Sequence, residues 1–314
     1  MMDLLERRLV FVTGKGGVGK TSITAALGLL ASQRGKRTLV CEVDAKGNLP
    51  DFFEAPRTGF DPSELAPGLF GMAMNTEESL KEYLSLQLKV PLLARIGPLA
   101  KSFDFVATAA PGVKEILTVG KLCYEVREQN YDIVIVDAPA TGHVIGQLVA
   151  PQAINDLVKV GTVRDQTRWM VDLLEDPAVT GAVIVSAPEE MPVSETIELA
   201  QRMRAETRVD LAAVIVNKVL PELFGRGEEE IFDLLRSEVH ERELAAAVGG
   251  PVRPVLDAAE LAVTLRRARA EHMARLRAEL PPGVDQLYLP YLFTRTHGVR
   301  ATHTIAEALG AELG

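Results

Sequence analysis

The sequence predicts an α/β fold of three layers, a mainly parallel central sheet flanked by helices, with a helical insertion in its first half. Three observations predict it. Short apolar runs alternate with helically spaced segments from residue 9 to residue 292, the order that a parallel sheet and its crossover helices require. The runs are nearly continuous in apolar character, as in strands buried on both faces, and Tyr131-Asp-Ile-Val-Ile-Val-Asp137 is the clearest. Glycine-rich and acidic clusters stand at the ends of these runs, where open α/β sheets place their ligands.

Bulk properties narrow the class. With 314 residues, 47% of them hydrophobic, the chain can bury one large core, so a single domain over 1–314 with an insertion at about 76–130 is expected. A formal charge of −9 disfavours nucleic acid as the partner, because phosphate binding relies on a basic surface. No window approaches the ~18 consecutive apolar residues of a membrane span, and residues 1–8 lead into the first strand without a secretory apolar stretch. A cytoplasmic protein with no transmembrane segment is expected. Cys41 and Cys123 lie far apart with no C-x-x-C, which indicates neither a disulfide framework nor a zinc site.

The first strand, 9–12, runs into Gly14-x-x-x-x-Gly19-Lys20-Thr21, and from Lys20 onward Ile23, Ala26, Leu27 and Leu30 fall on one helix face. This is the Walker A pattern in its required strand-loop-helix context. Closely spaced glycines let backbone N–H groups converge on phosphate oxygens with no Cβ in the way, and the helix adds the positive end of its dipole. The nucleotide-binding residues expected here are Gly14, Lys15, Gly16, Gly17, Val18, Gly19, Lys20, Thr21 and Ser22. Lys20 would neutralise the β and γ phosphates and Thr21 would ligate magnesium, so ATP and Mg²⁺ are the expected cofactors.

The first helix is expected to stop near Gly35, and 37–43 reads as the second strand. Asp44 comes next, placed to orient an attacking water, take its proton and ligate the metal; taken alone, it is equally an ordinary turn residue. Residues 52–67, rich in Pro, Gly and Asp, read as loop, 69–74 as the third strand and 75–79 as a helix start. From Leu80 to Leu99 apolar residues are dense, and the distance to the strand at 131–137 exceeds one crossover helix. Something is inserted there.

Asp137 ends the 131–137 strand where a Walker B acid holds a metal-bound water. Gly142 would let a backbone N–H approach the γ-phosphate, and His143 is assigned no chemistry. Residues 154–175 form a mixed helical segment around Trp169, and 182–186 is a strand. The strand at 211–218 ends in Asn217, whose amide offers the donor and acceptor that match adenine's N6 and N7 edge, with Lys218 beside it in the nucleotide site. Helices at 228–248 and 257–280 come after it, the second carrying Arg266, Arg267, Arg269, Arg275 and Arg277 on what reads as a solvated face. A last strand and loop cover 286–293, and 305–309 is a short acidic helix.

Lys15 gives the loop the form Gly-Lys-Gly-Gly-Val-Gly-Lys-Thr, which resembles the deviant Walker A motif of the MinD, ParA, nitrogenase iron protein and ArsA group of ATPases. Asp44, Ala45, Asn48, Leu49 and Asp51 resemble the ArsA switch I, Asp-Pro-Ala-His-Asn-Leu-Ser-Asp, with departures at Lys46 and Gly47. Asp137, Thr141, Gly142 and His143 resemble its switch II, Asp-Thr-Ala-Pro-Thr-Gly-His; Ala110 to Glu115 and Glu189 to Thr196 resemble two weaker family segments. The resemblance implies a P-loop ATPase in which Lys15 reaches the partner's nucleotide in trans, against the plainer reading of a solvated loop lysine. It also implies that Pro290, Tyr291 and Leu292 close over the adenine.

The same resemblance implies a dimer, of two copies or with a paralogue, that closes on two MgATP and opens after hydrolysis. Its output would be chaperone-like or regulatory, with a protein client or a membrane-protein partner. In relatives that target tail-anchored membrane proteins the inserted region forms an apolar client groove; the plainer reading is that these leucines fill the core and the dimer interface. The alternatives are a module that binds ATP without hydrolysing it and an arsenite-pump motor. The pump would need more thiolates than Cys41 and Cys123 supply. An iron-sulfur carrier would need cysteines flanking switch II, and the basic amphipathic tail of MinD is missing from 305–309.

Overall fold

The computed structural model describes residues 4–43, 48–88, 112–158, 160–222, 224–293 and 298–314. Within them the chain runs β1 (Leu9–Gly14), α1 (Lys20–Gln33), β2 (Thr38–Glu42), β3 (Ser63–Ala66), β4 (Leu69–Ala73), α2 (Thr76–Leu88), α3 (Val113–Arg127), β5 (Ile133–Asp137) and α4 (Thr141–Leu157). It continues with α5 (Thr162–Glu175), β6 (Thr180–Ser186), α6 (Glu190–Glu206), β7 (Leu211–Val219), α7 (Arg226–Leu235), α8 (Glu238–Val248), α9 (Arg253–Glu279), β8 (Asp285–Pro290) and α10 (Val299–Leu313). The described strands form one sheet in the order β3-β4-β2-β5-β1-β6-β7-β8. All neighbours are parallel except β3 and β4, which are antiparallel.

The sheet separates two cores, because side chains alternate across a strand. Leu9 and Phe11 of β1 join Val134 and Val136 of β5 beneath α3, α4, α5 and α6. Val10 and Val12 join Ile133 and Ile135 on the opposite face beneath α1 and α10. Both faces being covered explains why these strands read as unbroken apolar runs. Burying a side chain such as Phe11, at 0% exposure, stabilises the fold by roughly 1.5–3 kcal/mol.

Four boundaries differ from the sequence reading. The stretch read as loop at 52–67 contains β3, a four-residue edge strand that is half to fully exposed and flanked by Pro62 and Pro67, so it carries almost no apolar signal. The segment at 154–175 is the end of α4 and all of α5, separated at Gly161 with φ +100°. The helix at 228–248 is two, restarted by Ser237 in extended geometry ahead of α8. The final helix spans 15 residues, with Ala301, Thr302, Ala306 and Leu309 buried, where only 305–309 is apolar enough to be read.

The middle of the expected insertion, 89–111, lies outside the described residues; its described flanks are α2 and α3. The Lys121 side chain of α3 joins them, with its ammonium 2.7 Å from Glu82 of α2 and 2.7 Å from Glu125. No helix among the described residues is long and apolar enough to cross a membrane.

Candidate functional site

The sheet order reverses at β1, whose neighbours are β5 and β6, and the glycine loop leaves its carboxyl end at that point. Gly14 has φ +141°, and a Cβ on it would lie 2.2 Å from the Val185 carbonyl oxygen of β6. Only glycine lets the loop pass so close to the neighbouring strand. Gly19, at φ +100°, caps α1, and a Cβ there would meet the Asn217 amide at 2.5 Å. No side chain caps the helix, so the backbone donors of its first turn are available to an anion at the cleft.

A cleft of about 720 Å³ opens in front of this loop. Gly16, Gly17, Gly19, Lys20, Thr21 and Ser22 line its floor, Asp137, Asn217 and Lys218 stand at neighbouring strand ends, and Pro290, Tyr291 and Leu292 form one wall. The remaining residues singled out from the sequence lie elsewhere. Gly14 and Val18 back the loop without lining the cleft, and Gly142 sits exposed in the first turn of α4. Asp44 falls at 44–47, outside the described residues.

Four polar side chains of the cleft are held in place. Thr21 Oγ1 donates to Asp137 Oδ2 at 2.7 Å, which joins the first helical turn to the end of β5. Lys20 Nζ donates to the Lys15 carbonyl at 3.1 Å, across the mouth of the loop. Asn217 Nδ2 donates to the Val18 carbonyl at 2.9 Å while Oδ1 accepts from the Lys218 backbone N–H at 2.9 Å. Lys218, in left-handed geometry at φ +61°, donates from Nζ to the Gly17 carbonyl at 2.8 Å. Asn217 and Lys218 therefore brace the glycine loop; the Asn217 amide keeps one N–H and one lone pair for a further partner.

Lys15 turns away from this floor and pairs with Glu195 of α6 in the same chain, both side chains about one-third exposed. The opposite wall includes Asn48, Asp51 and Phe52, tied to α10 by a hydrogen bond from Thr302 Oγ1 to the Phe52 carbonyl at 3.0 Å. Glu42 also lines the cleft, at 4% exposure, and faces Asp137 in the register of β2 with β5. Nothing in the sequence singles out Glu42, which reads as one charged residue in a strand; only the strand register sets it beside Asp137.

An oxygen-only donor set of Thr21 and Asp137, open to a cleft floored by backbone N–H groups, fits a hard cation shared with phosphate oxygens. Cys41 and Cys123 are both fully buried, and burial pushes both thiols above their ordinary range, so neither offers a thiolate to this cleft.

A family profile described as anion-transporting ATPase matches residues 7–170 and 157–226. Among curated relatives, ATPase BagA of Mycobacterium tuberculosis is 30% identical over 300 residues, covering 91% of this chain and 86% of its own length. A putative arsenical pump-driving ATPase of Halobacterium salinarum is 24% identical over 311 residues, 91% of this chain but 44% of that protein. An ATPase ASNA1 homolog of Entamoeba dispar is 26% identical over 255 residues, 68% of this chain and 76% of its own.

Proposed function

The chain belongs to the anion-transporting ATPase family, and from that premise we propose that it is a dimeric, magnesium-dependent ATPase that hydrolyses ATP to ADP and phosphate to change its quaternary state. One observation carries the reading: the 2.7 Å bond between Thr21 and Asp137 at the floor of a single cleft walled by the glycine loop. That pairing supplies a hydroxyl and a carboxylate that would hold a magnesium ion alongside a bound nucleotide's phosphates.

In this reading the loop amides and Lys20 hold the phosphates, Thr21 and Asp137 hold the magnesium with its waters, and Asp44 orients the attacking water and accepts its proton. A magnesium ion held by Thr21 and Asp137 would supply positive charge against the phosphoryl group. Asn217 and Lys218 keep the loop in shape while the residual capacity of the Asn217 amide meets the base. Pro290, Tyr291 and Leu292 wall the base side. Lys15 leaves Glu195 and crosses to the partner's phosphates when two chains close.

The output is chaperone-like or regulatory, exerted through a protein client or membrane-protein partner. A metalloid-pump motor is disfavoured by the burial of both cysteines of the sequence, since soft metalloids bind thiolate. Phosphate release by the purified chain tests the reading. Wild type should release phosphate from MgATP, and Asp44→Asn should bind ATP with at least a roughly hundredfold slower release, the order expected for loss of a general base. Binding of MgATP with no phosphate release by wild type would leave only a nucleotide-binding module, and unimpaired release by Asp44→Asn would place the base elsewhere.

A further inference from the structure

We propose that Glu42, with Asp137 and Thr21, forms a divalent-cation seat that fills before any nucleotide arrives. The inference shares Thr21, Asp137 and the cleft with the ATPase reading and goes beyond it in adding Glu42 and in requiring no nucleotide. Glu42 closes β2 and Asp137 closes β5, and their pairing in a parallel register sends both side chains to the same face of the sheet at neighbouring positions. Both line the cleft, at 4% and 8% exposure.

The Glu42 carboxylate is only half satisfied. Its Oε1 accepts from the Asn48 backbone N–H at 3.3 Å, which fixes the side chain's direction. Its Oε2 is buried and has no hydrogen-bond partner among the described residues. A buried carboxylate oxygen left without a partner is strongly disfavoured, and a second carboxylate on the next strand adds like-charge repulsion. A native protein retains such an arrangement where something cationic meets it.

The donor set says what that is. Two carboxylates and a hydroxyl are hard oxygen ligands, which select Mg²⁺ or Mn²⁺ over softer metals. Thr21, Glu42 and Asp137 would hold such an ion through oxygen alone, and the open cleft would leave its other positions to water or phosphate. The seat carries its negative charge within the chain itself, so cation binding does not wait for the nucleotide to supply it. Glu42 is thus the residue that separates this site from one in which the metal enters only as a nucleotide complex.

The test uses the full chain stripped of metal with EDTA and titrated with MnCl₂ in the absence of nucleotide, free Mn²⁺ being read from its electron paramagnetic resonance signal. Wild type should take up one Mn²⁺ saturably, and Glu42→Gln should bind it at least about tenfold more weakly. Glutamine keeps an oxygen for the Asn48 N–H and drops the buried charge, so in EDTA this variant should melt at or above the wild-type temperature. At the same concentration, Mn²⁺ should raise the melting temperature of wild type more than that of Glu42→Gln. Should Glu42→Gln fail to fold, Asp137→Asn reads the same loss from the other carboxylate. No uptake by nucleotide-free wild type, or equal uptake by folded Glu42→Gln, overturns the proposal. Uptake as expected by a protein that releases no phosphate from ATP would instead overturn the ATPase reading and leave the cation seat standing.

Discussion

At the scale of single residues, the glycine loop shows how one missing Cβ sets a site. Gly14 has both a positive φ and a backbone carbonyl 2.2 Å from where its Cβ would be, so neither side-chain motion nor rotamer choice relieves an alanine there. Gly16 has open space around the same position and no positive φ. Gly14→Ala should therefore destabilise the protein by about 3 kcal/mol or more, while Gly16→Ala changes stability by less than about 0.5 kcal/mol. Thermal unfolding of the two variants side by side checks this, and equal melting temperatures would mean that β6 yields to the added methyl. These glycines were legible in the sequence because the motif states a demand on the backbone that only glycine meets. Asn217 was legible by type, but its bonds to Val18 and Lys218 were not, since they depend on how closely β7 approaches the loop. Glu42 was not legible at all, because its meaning lies in a strand register.

Elements are joined by a different economy, visible where α2 meets α3. The Lys121 side chain is 8% exposed and its ammonium lies 2.7 Å from both Glu82 and Glu125. Burial pulls its proton affinity down, but hydrogen bonds to Glu125 and Glu82 outweigh this and hold it above the ordinary value of 10.5. A group whose folded pKa is raised contributes stability that is complete below its unfolded pKa. That contribution disappears as pH rises through the folded value. The join between α2 and α3 should accordingly be insensitive to pH from about 7 to 9 and weaken only above about 10.5. Lys121→Met leaves Glu125 buried without its cation, a change expected to cost about 3–5 kcal/mol at neutral pH, and should abolish the alkaline loss; chemical denaturation of both proteins at about pH 8 and about pH 11 measures it. The main strands of the sheet were legible because a strand covered on both faces must be apolar throughout. Edge strand β3 escaped because it has one neighbour and an exposed course, and the break between α7 and α8 because Ser237 sits amid strong helix formers.

For the whole molecule, the question is whether Lys15 serves its own cleft or that of a second copy. It lies directly after the first loop glycine yet does not line the cleft, and its ammonium is engaged by Glu195 on α6. Within one chain, then, the lysine is turned away from the floor that Lys20 occupies. An ion pair about one-third exposed contributes at most about 1 kcal/mol, so Glu195 is no barrier to Lys15 crossing to a partner. The Glu195 contact orients a lysine that closure of two chains would redirect. On this view Lys15→Ala should lower phosphate release on the order of 10³-fold, as loss of a trans-acting cation does, whereas Glu195→Gln should change it by less than about tenfold. With a non-hydrolysable ATP analogue, the wild-type chain should sediment at twice the mass it has without nucleotide. If it sediments as a single chain in both states, and Lys15→Ala turns over at the wild-type rate, the lysine has no partner to serve and the switch between quaternary states falls with it.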